Sequence, residues 1–222
     1  MLVNLASCAR PASTPAPGSS ASMATATQMS ISNGVHTATR GILEPLSAEP
    51  LVVLPLQALR LTVPEWSANV GDQRAYLATV SDEIAFAVRE RAFKGKWAFP
   101  EDLARAARRN PGYAPDPYTI DVAPLAPVQR DPNKIIAEPL AGQLRAFAGL
   151  FNGRYALIPI EMRLAPDTSG GGRASVHLVV VDARAARITW MGDVSGDAAR
   201  TFSPAIAAGL AGRVADLFTP AR

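Results

Sequence analysis

The chain of 222 residues predicts an α/β fold: a mixed sheet of about four or five strands, ending in an antiparallel three-strand unit, covered by three or four helices. Three observations carry that prediction. Residues 155–164 alternate, with Ala156, Ile158, Ile160, Met162 and Leu164 on one side and Glu161 and Arg163 on the other, which is the period of a half-buried strand. Residues 174–182 and 186–194 are two more extended runs separated by a short turn. They read as an antiparallel hairpin in which Val176, Leu178 and Val180 meet Ile188, Trp190 and Val194. Segments of helical period flank this unit, and a sheet with an apolar face needs such cover.

In chain order, residues 51–56 (Leu-Val-Val-Leu-Pro-Leu) form a compact apolar run and read as the first strand. Pro55 has no amide to donate, which predicts an edge position or a bulge there. Residues 62–71 read as a loop around Pro64 and Trp66. Asp72 is placed to cap a helix reaching about residue 93, with Leu77, Val80, Ile84 and Ala87 or Val88 as its apolar stripe. Residues 97–99 make a short strand. Pro100, Glu101 and Asp102 then open a second helix, with proline in the first turn and acids at the positive end of the dipole; Asn110-Pro111-Gly112 stops it. The proline-rich stretch that follows, to Pro132, is long for a connection and predicts a functional or surface-wrapped loop. Residues 135–151 form the third helix, with Leu140, Leu144, Phe147 and Phe151 on its inner face. After the three-strand unit, Ser203 and Pro204 open a last helix with the stripe Ile206, Leu210, Val214 and Leu217.

Composition bounds the function. Hydrophobic residues at 48% and charged residues at 18% are the balance of a globular chain and exclude wholesale disorder. No apolar run approaches the roughly 20 residues that cross a bilayer as a helix. A net charge of +3 is too small to imply nucleic acid, and one cysteine excludes an internal disulfide framework. Two histidines leave little for metal binding or His-based catalysis, so no metal, cofactor or catalytic residue is assigned.

The segment assigned to residues 1–47 is, as far as about Thr39, rich in Ala, Ser, Thr, Pro and Gly and carries no apolar period. Such a stretch buries too little surface to offset its ordering entropy, so it reads as a flexible tether in front of a single α/β domain over residues 48–222. Leu5-Ala6-Ser7-Cys8 matches the lipobox of bacterial lipoproteins, in which small residues precede a cysteine whose sulfur takes the acyl group. Residues 1–5 are too few for the basic and apolar regions of a signal peptide, so the expected start lies upstream. The expectation is a lipid-anchored cell-envelope protein facing the periplasm, with Cys8 acylated, each buried CH₂ adding about 0.8 kcal/mol of membrane affinity.

Residues 178–182 (Leu-Val-Val-Val-Asp) and 188–192 (Ile-Thr-Trp-Met-Gly), followed by a helix, carry a resemblance. With the opening Val-Val-Leu-Pro strand and the Arg-Tyr-Ala-Leu-Ile-Pro-Ile strand, they resemble the group of bacterial envelope proteins that includes the TolB amino-terminal domain, LpoB and the curli-secretion lipoprotein. The turn departs from that group, with Ala183-Arg-Ala-Ala186 where Thr-Gly or Ser-Gly is usual. The resemblance implies a non-enzymatic α/β module that docks on other envelope proteins.

The expected docking surface is a basic, aromatic segment: Arg91, Lys94, Lys96, Trp97, Arg105, Arg108 and Arg109, with Tyr113 and Tyr118 of the following loop. Its plainer reading is a solvated helical face partly neutralised by Glu90, Glu101 and Asp102. His177 reads as a packed or partly exposed strand residue, Asp182 as the residue that orders the hairpin turn, and Trp190 as core. The glycines at 170–172 lead into a strand and not a helix, so they form no phosphate loop. Two other classes stay open. One is a small hydrolase or transferase using carboxylates such as Asp116, Asp121 or Glu161; the other is a cytoplasmic basic protein that binds nucleic acid and keeps Cys8 as a free thiol.

Overall fold

The computed structural model describes residues 39–91, 95–125, 135–168 and 170–220. One mixed sheet of six strands organises them: β1 (Leu51–Val53), β2 (Ala58–Leu61), β3 (Trp97–Ala98), β4 (Tyr155–Pro166), β5 (Gly172–Asp182) and β6 (Arg187–Ala199). β4, β5 and β6 are antiparallel neighbours, the expected three-strand unit. β1 and β2 lie one after the other along the free side of β4, both parallel to it, and β3 adds parallel to β1. The count exceeds the expected four or five because residues 51–61 give two strands. The chain leaves the ladder around Pro55 and rejoins it at Ala58, where Leu59 and Leu61 resume an alternating, half-buried pattern.

Five helices cover the sheet: α1 (Pro64–Val70), α2 (Gln73–Arg91), α3 (Pro100–Arg109), α4 (Leu140–Leu150) and α5 (Ala205–Asp216). α2 and α5 pack on one face, where Val80, Ile84, Leu210 and Val214 meet Val176, Leu178 and Val180. α3, α4 and the loop after α3 pack on the other, where Leu103, Leu144 and Phe147 meet Val52, Ile158 and Val179. The sheet therefore lies between two apolar layers rather than presenting one apolar face. α1 occupies a stretch expected as loop; Pro64 in its first turn and Glu65 beside it are the start signal. α4 begins at Leu140, later than expected, because Ile135 forms a bridge with Arg187 and stays 65% exposed.

Two bulges correct the expected side-chain directions. Ile160 is an extra residue in β4, where the pairing with β5 steps from Pro159 to Glu161. Ala156, Ile158 and Ile160 consequently face the α3/α4 layer, whereas Leu157, Met162 and Leu164 face the α2/α5 layer. Thr189 is an extra residue in β6, and its hydroxyl donates to the Val180 carbonyl at 3.1 Å. Trp190 and Val194 meet Val180 and Val176 as expected, but Ile188 turns to the opposite layer.

The folded domain also begins earlier than residue 48. The amides of Gly41 and Leu43 donate to the carbonyls of Asp216 and Leu217 at 3.0 and 2.8 Å, and Leu43 and Leu46 are buried. Part of the stretch assigned to the tether is thus core, tied to the end of α5.

Candidate binding cleft

Among the described residues, the second layer stops short of the far end of the sheet. Ile120 and Val122 are its last buried residues there, and beyond them the sheet face is polar. Two cross-strand rows make that face. Ala58, Glu161, His177 and Asp193 are register partners across β2, β4, β5 and β6; Arg60, Arg163, Ser175 and Ser195 form the next row. The Ile160 bulge is what brings Glu161 to this side, since without an extra residue it would alternate away from Ile158. A cleft of about 490 Å³ lies here, floored by Arg60, Glu161, Arg163 and His177 and walled by residues 120–123.

Its ionisable groups hold one another in place. Glu161 Oε1 accepts from Arg60 Nε at 2.8 Å, and Oε2 accepts from Arg163 Nε at 2.6 Å. Burial pushes the Glu161 carboxyl up, but the two guanidinium bonds outweigh it and hold the group below its ordinary value. His177 Nδ1 lies 2.7 Å from Asp193 Oδ1, and that bond holds the Asp193 carboxyl down against desolvation. Both acids are therefore ionised at neutral pH. A second hollow of about 590 Å³ opens on the opposite side of β2, between Leu56, Leu59, Leu77, Ala78 and Tyr118, with Arg74 on its wall.

The basic, aromatic segment expected as the docking surface does not assemble. Cys8 and Lys94 lie outside the described residues. Trp97 is buried, edge-on to Phe218 at 4.8 Å, so it is core and not a docking aromatic. Arg91 spans to the Gly212 carbonyl and Asp216 of α5, while Arg105 pairs with Asp102 on its own helix. Lys96, Arg108 and Arg109 are exposed, as are Tyr113 and Tyr118. The described ones are split between the two helical layers, and Tyr118 lines a hollow.

The three acids offered for hydrolysis have other work. Asp116 accepts from the Tyr118 amide, Asp121 from the Ala123 amide, and Glu161 from the two arginines. General acid catalysis needs a carboxyl kept protonated near neutral pH, and the shifts at Glu161 and Asp193 run the other way. Among the described residues no cluster of three or more His, Cys, Asp or Glu is disposed to hold a metal ion. The cleft suits recognition: charged side chains held still by opposite partners, with their outer faces open. The sequence offers Glu161 as a possible catalytic acid and reads His177 as a packed or partly exposed strand residue; Arg60 and Asp193 carry no signal of their own.

No family model matches the chain, and no curated protein matches it. Similar solved structures include the LpoB C-terminal domain from Escherichia coli, 11% identical, with TM-score 0.34 over 71% of this chain and 96% of that one. A PelC dodecamer from Paraburkholderia phytofirmans is 13% identical, with TM-score 0.33 over 78% of this chain and 91% of its own. A lipoprotein from Neisseria meningitidis is 13% identical, with TM-score 0.32 over 70% and 86%. LpoB, which the hairpin resembles, is thus among them. Likeness at this level carries no functional weight.

Proposed function

We propose that this chain is a non-catalytic binding module of the bacterial cell envelope, held at a membrane through acylated Cys8 and facing the periplasm. The observation that supports binding over catalysis is the cleft itself, where Glu161 and Asp193 are each kept ionised by a bonded partner. Braced arginines lose little freedom when they meet a ligand, which favours recognition. Tyr118, exposed on the rim of the neighbouring hollow, is the one aromatic of the expected docking set that lies there. Arg108, Arg109 and Tyr113 offer a second contact area on the α3 side.

The anchor rests on residues 5–8 and on the polar stretch behind them, which reaches the domain near Thr39. About 30 such residues, from Cys8 to Thr39, have an r.m.s. span of roughly 30 Å, enough for the domain to search near a membrane. The test is metabolic labelling with a palmitate analogue in cells expressing the gene with its native upstream sequence. Wild type takes the label and fractionates with membranes, and Cys8→Ser does neither. Equal labelling of the two, or wild type in the aqueous fraction with a free thiol, overturns the anchor.

A further inference from the structure

We propose that the end of the domain where the tether enters lies against a bilayer of anionic phospholipid, with the cleft at the opposite end of the sheet turned away from it. This rests on the reading of the chain as a tethered module and names the surface that the module meets. Leu51, Trp97, Tyr155, Asp182 and Arg187 form one row across the near ends of β1, β3, β4, β5 and β6. Backbone bonds tie together the segments just outside that row: the Leu51 amide donates to Lys96, that of Arg154 to Pro50 and that of Ala183 to Arg154. The tether joins at the same end. Thr39 stands two residues before Gly41, whose amide donates to Asp216 of α5, and Phe218 packs edge-on to Trp97. Gly95 lies so close to the segment before β1 that a Cβ there would be 2.9 Å from the Glu49 carbonyl oxygen. Glu161 of the cleft is six residues along β4 from Tyr155, about 20 Å away at the usual strand rise.

That end stays basic after its ion pairs cancel. Arg91 pairs with Asp216, Arg154 with Asp182 and Arg145 with Glu138. Arg40, Lys96, Arg184 and Arg187 are exposed, and among the described residues they enter no ion pair. Glu44 and Glu49 stand against them. The last turns of the flanking helices add Glu90 from α2 and Arg108 and Arg109 from α3. α3 ends beside α4 there, since the Tyr113 hydroxyl lies 3.1 Å from where a Gly149 Cβ would be. Six cations thus meet three acids. At the cleft, by contrast, Asp121, Glu161 and Asp193 offset Arg60 and Arg163. Two aliphatic side chains stand among the cations: Ile42, 39% exposed, and Ile135, 65% exposed and bridged to Arg187. Such a mixture suits a headgroup layer, where cations meet phosphate and apolar tips reach the acyl boundary. An acidic protein would also satisfy the cations, but it is a bilayer that the chain itself brings to this end, through the roughly 30 residues between Cys8 and Thr39.

The experiment is sedimentation of the full, unacylated chain with phosphatidylcholine vesicles that contain or lack phosphatidylglycerol. Binding is expected only where phosphatidylglycerol is present. Raising salt from about 0.1 M to about 1 M, which shortens the Debye length from about 10 Å to about 3 Å, should release the chain. Arg187→Glu should weaken partitioning about tenfold, whereas Arg200→Glu, the same change just past the far end of β6, should alter it by less than about twofold. Coupling Cys8, the one cysteine, to a maleimide-bearing lipid then supplies an anchor whether or not cells acylate it. Hydrogen exchange in that wild-type chain should slow over residues 39–42 and 183–187 when the vesicles contain phosphatidylglycerol, and not over 161–163 or 193–195. That readout holds even if a variant fails to fold. Binding to neither vesicle, equal binding to both, an equal loss in Arg200→Glu, or protection at the cleft overturns the proposal. Cys8 labelling in cells without vesicle binding leaves a tethered module whose near end is free; vesicle binding without labelling removes the anchor alone.

Discussion

Asp193 is ionised at neutral pH and has no proton to give, so its Oδ1, 2.7 Å from His177 Nδ1, accepts and the imidazole N–H donates. A carboxyl held below its ordinary value in the fold stabilises the fold above its unfolded pKa of about 3.9 and ceases to do so as pH falls through the folded value. Urea midpoints should therefore decline as pH falls below about 4. Asp193→Asn should flatten that limb and lower the midpoint at pH 7, while an unchanged acid limb would remove this bond from the account. The partnership was beyond the sequence for a geometric reason. Counting back from Asp182 opposite Arg187, a regular hairpin puts Gly192 across from His177. The extra residue Thr189 moves the register by one and brings Asp193 there instead. Trp190 was legible as core, and Gly192 shows how tightly it packs: a Cβ at that position would lie 2.7 Å from the indole.

At the scale of elements, what could be read depended on whether a local signal existed. α3 runs over Pro100–Arg109 as expected, because Pro100 and the acids behind it start it, the Asp102 carboxylate accepts the Phe99 amide, and Asn110 ends it. α5 follows its stripe for the same reason, with Leu210 and Val214 fully buried. Bulges leave no such mark, since an alternating pattern counts straight through them. Ile160 yields a sharp test. Its deletion restores regular alternation, keeping Pro159, Met162 and Leu164 on one face and Ile158, Glu161 and Arg163 on the other. Such a chain should still unfold cooperatively, with a loss of about 1.5–3 kcal/mol for one buried isoleucine. Deleting Leu157 instead turns every residue from there to the bulge onto the wrong face and should abolish folding. Circular dichroism and denaturant titration of the two deletions decide it, and equal outcomes would remove the bulge from its place in setting the cleft.

For the molecule as a whole, the question is where the tether ends and the domain begins. The compositional change comes at about Thr39, and the apolar residues soon after it, Leu43 and Leu46, turn inward. The end of α5 supplies the physical reason for the earlier start. The last carbonyls of a helix have no partner within it, and here Asp216 and Leu217 receive the amides of Gly41 and Leu43. The short 3-10 turn Glu44–Ala48 then lays Leu46 into the same core as Trp97 and Phe218, beside the fully buried Leu43. A chain beginning at Thr39 keeps each of these contacts and should match the full chain in denaturant midpoint. One beginning at Glu49 loses both leucines and should fall by about 3–6 kcal/mol, taking 1.5–3 kcal/mol for each. Against a typical total of about 5–15 kcal/mol, that is enough to leave much of the population unfolded. Equal midpoints for the two truncations would return residues 40–48 to the tether; a drop confined to the shorter chain makes the leash and the fold meet at the end of α5.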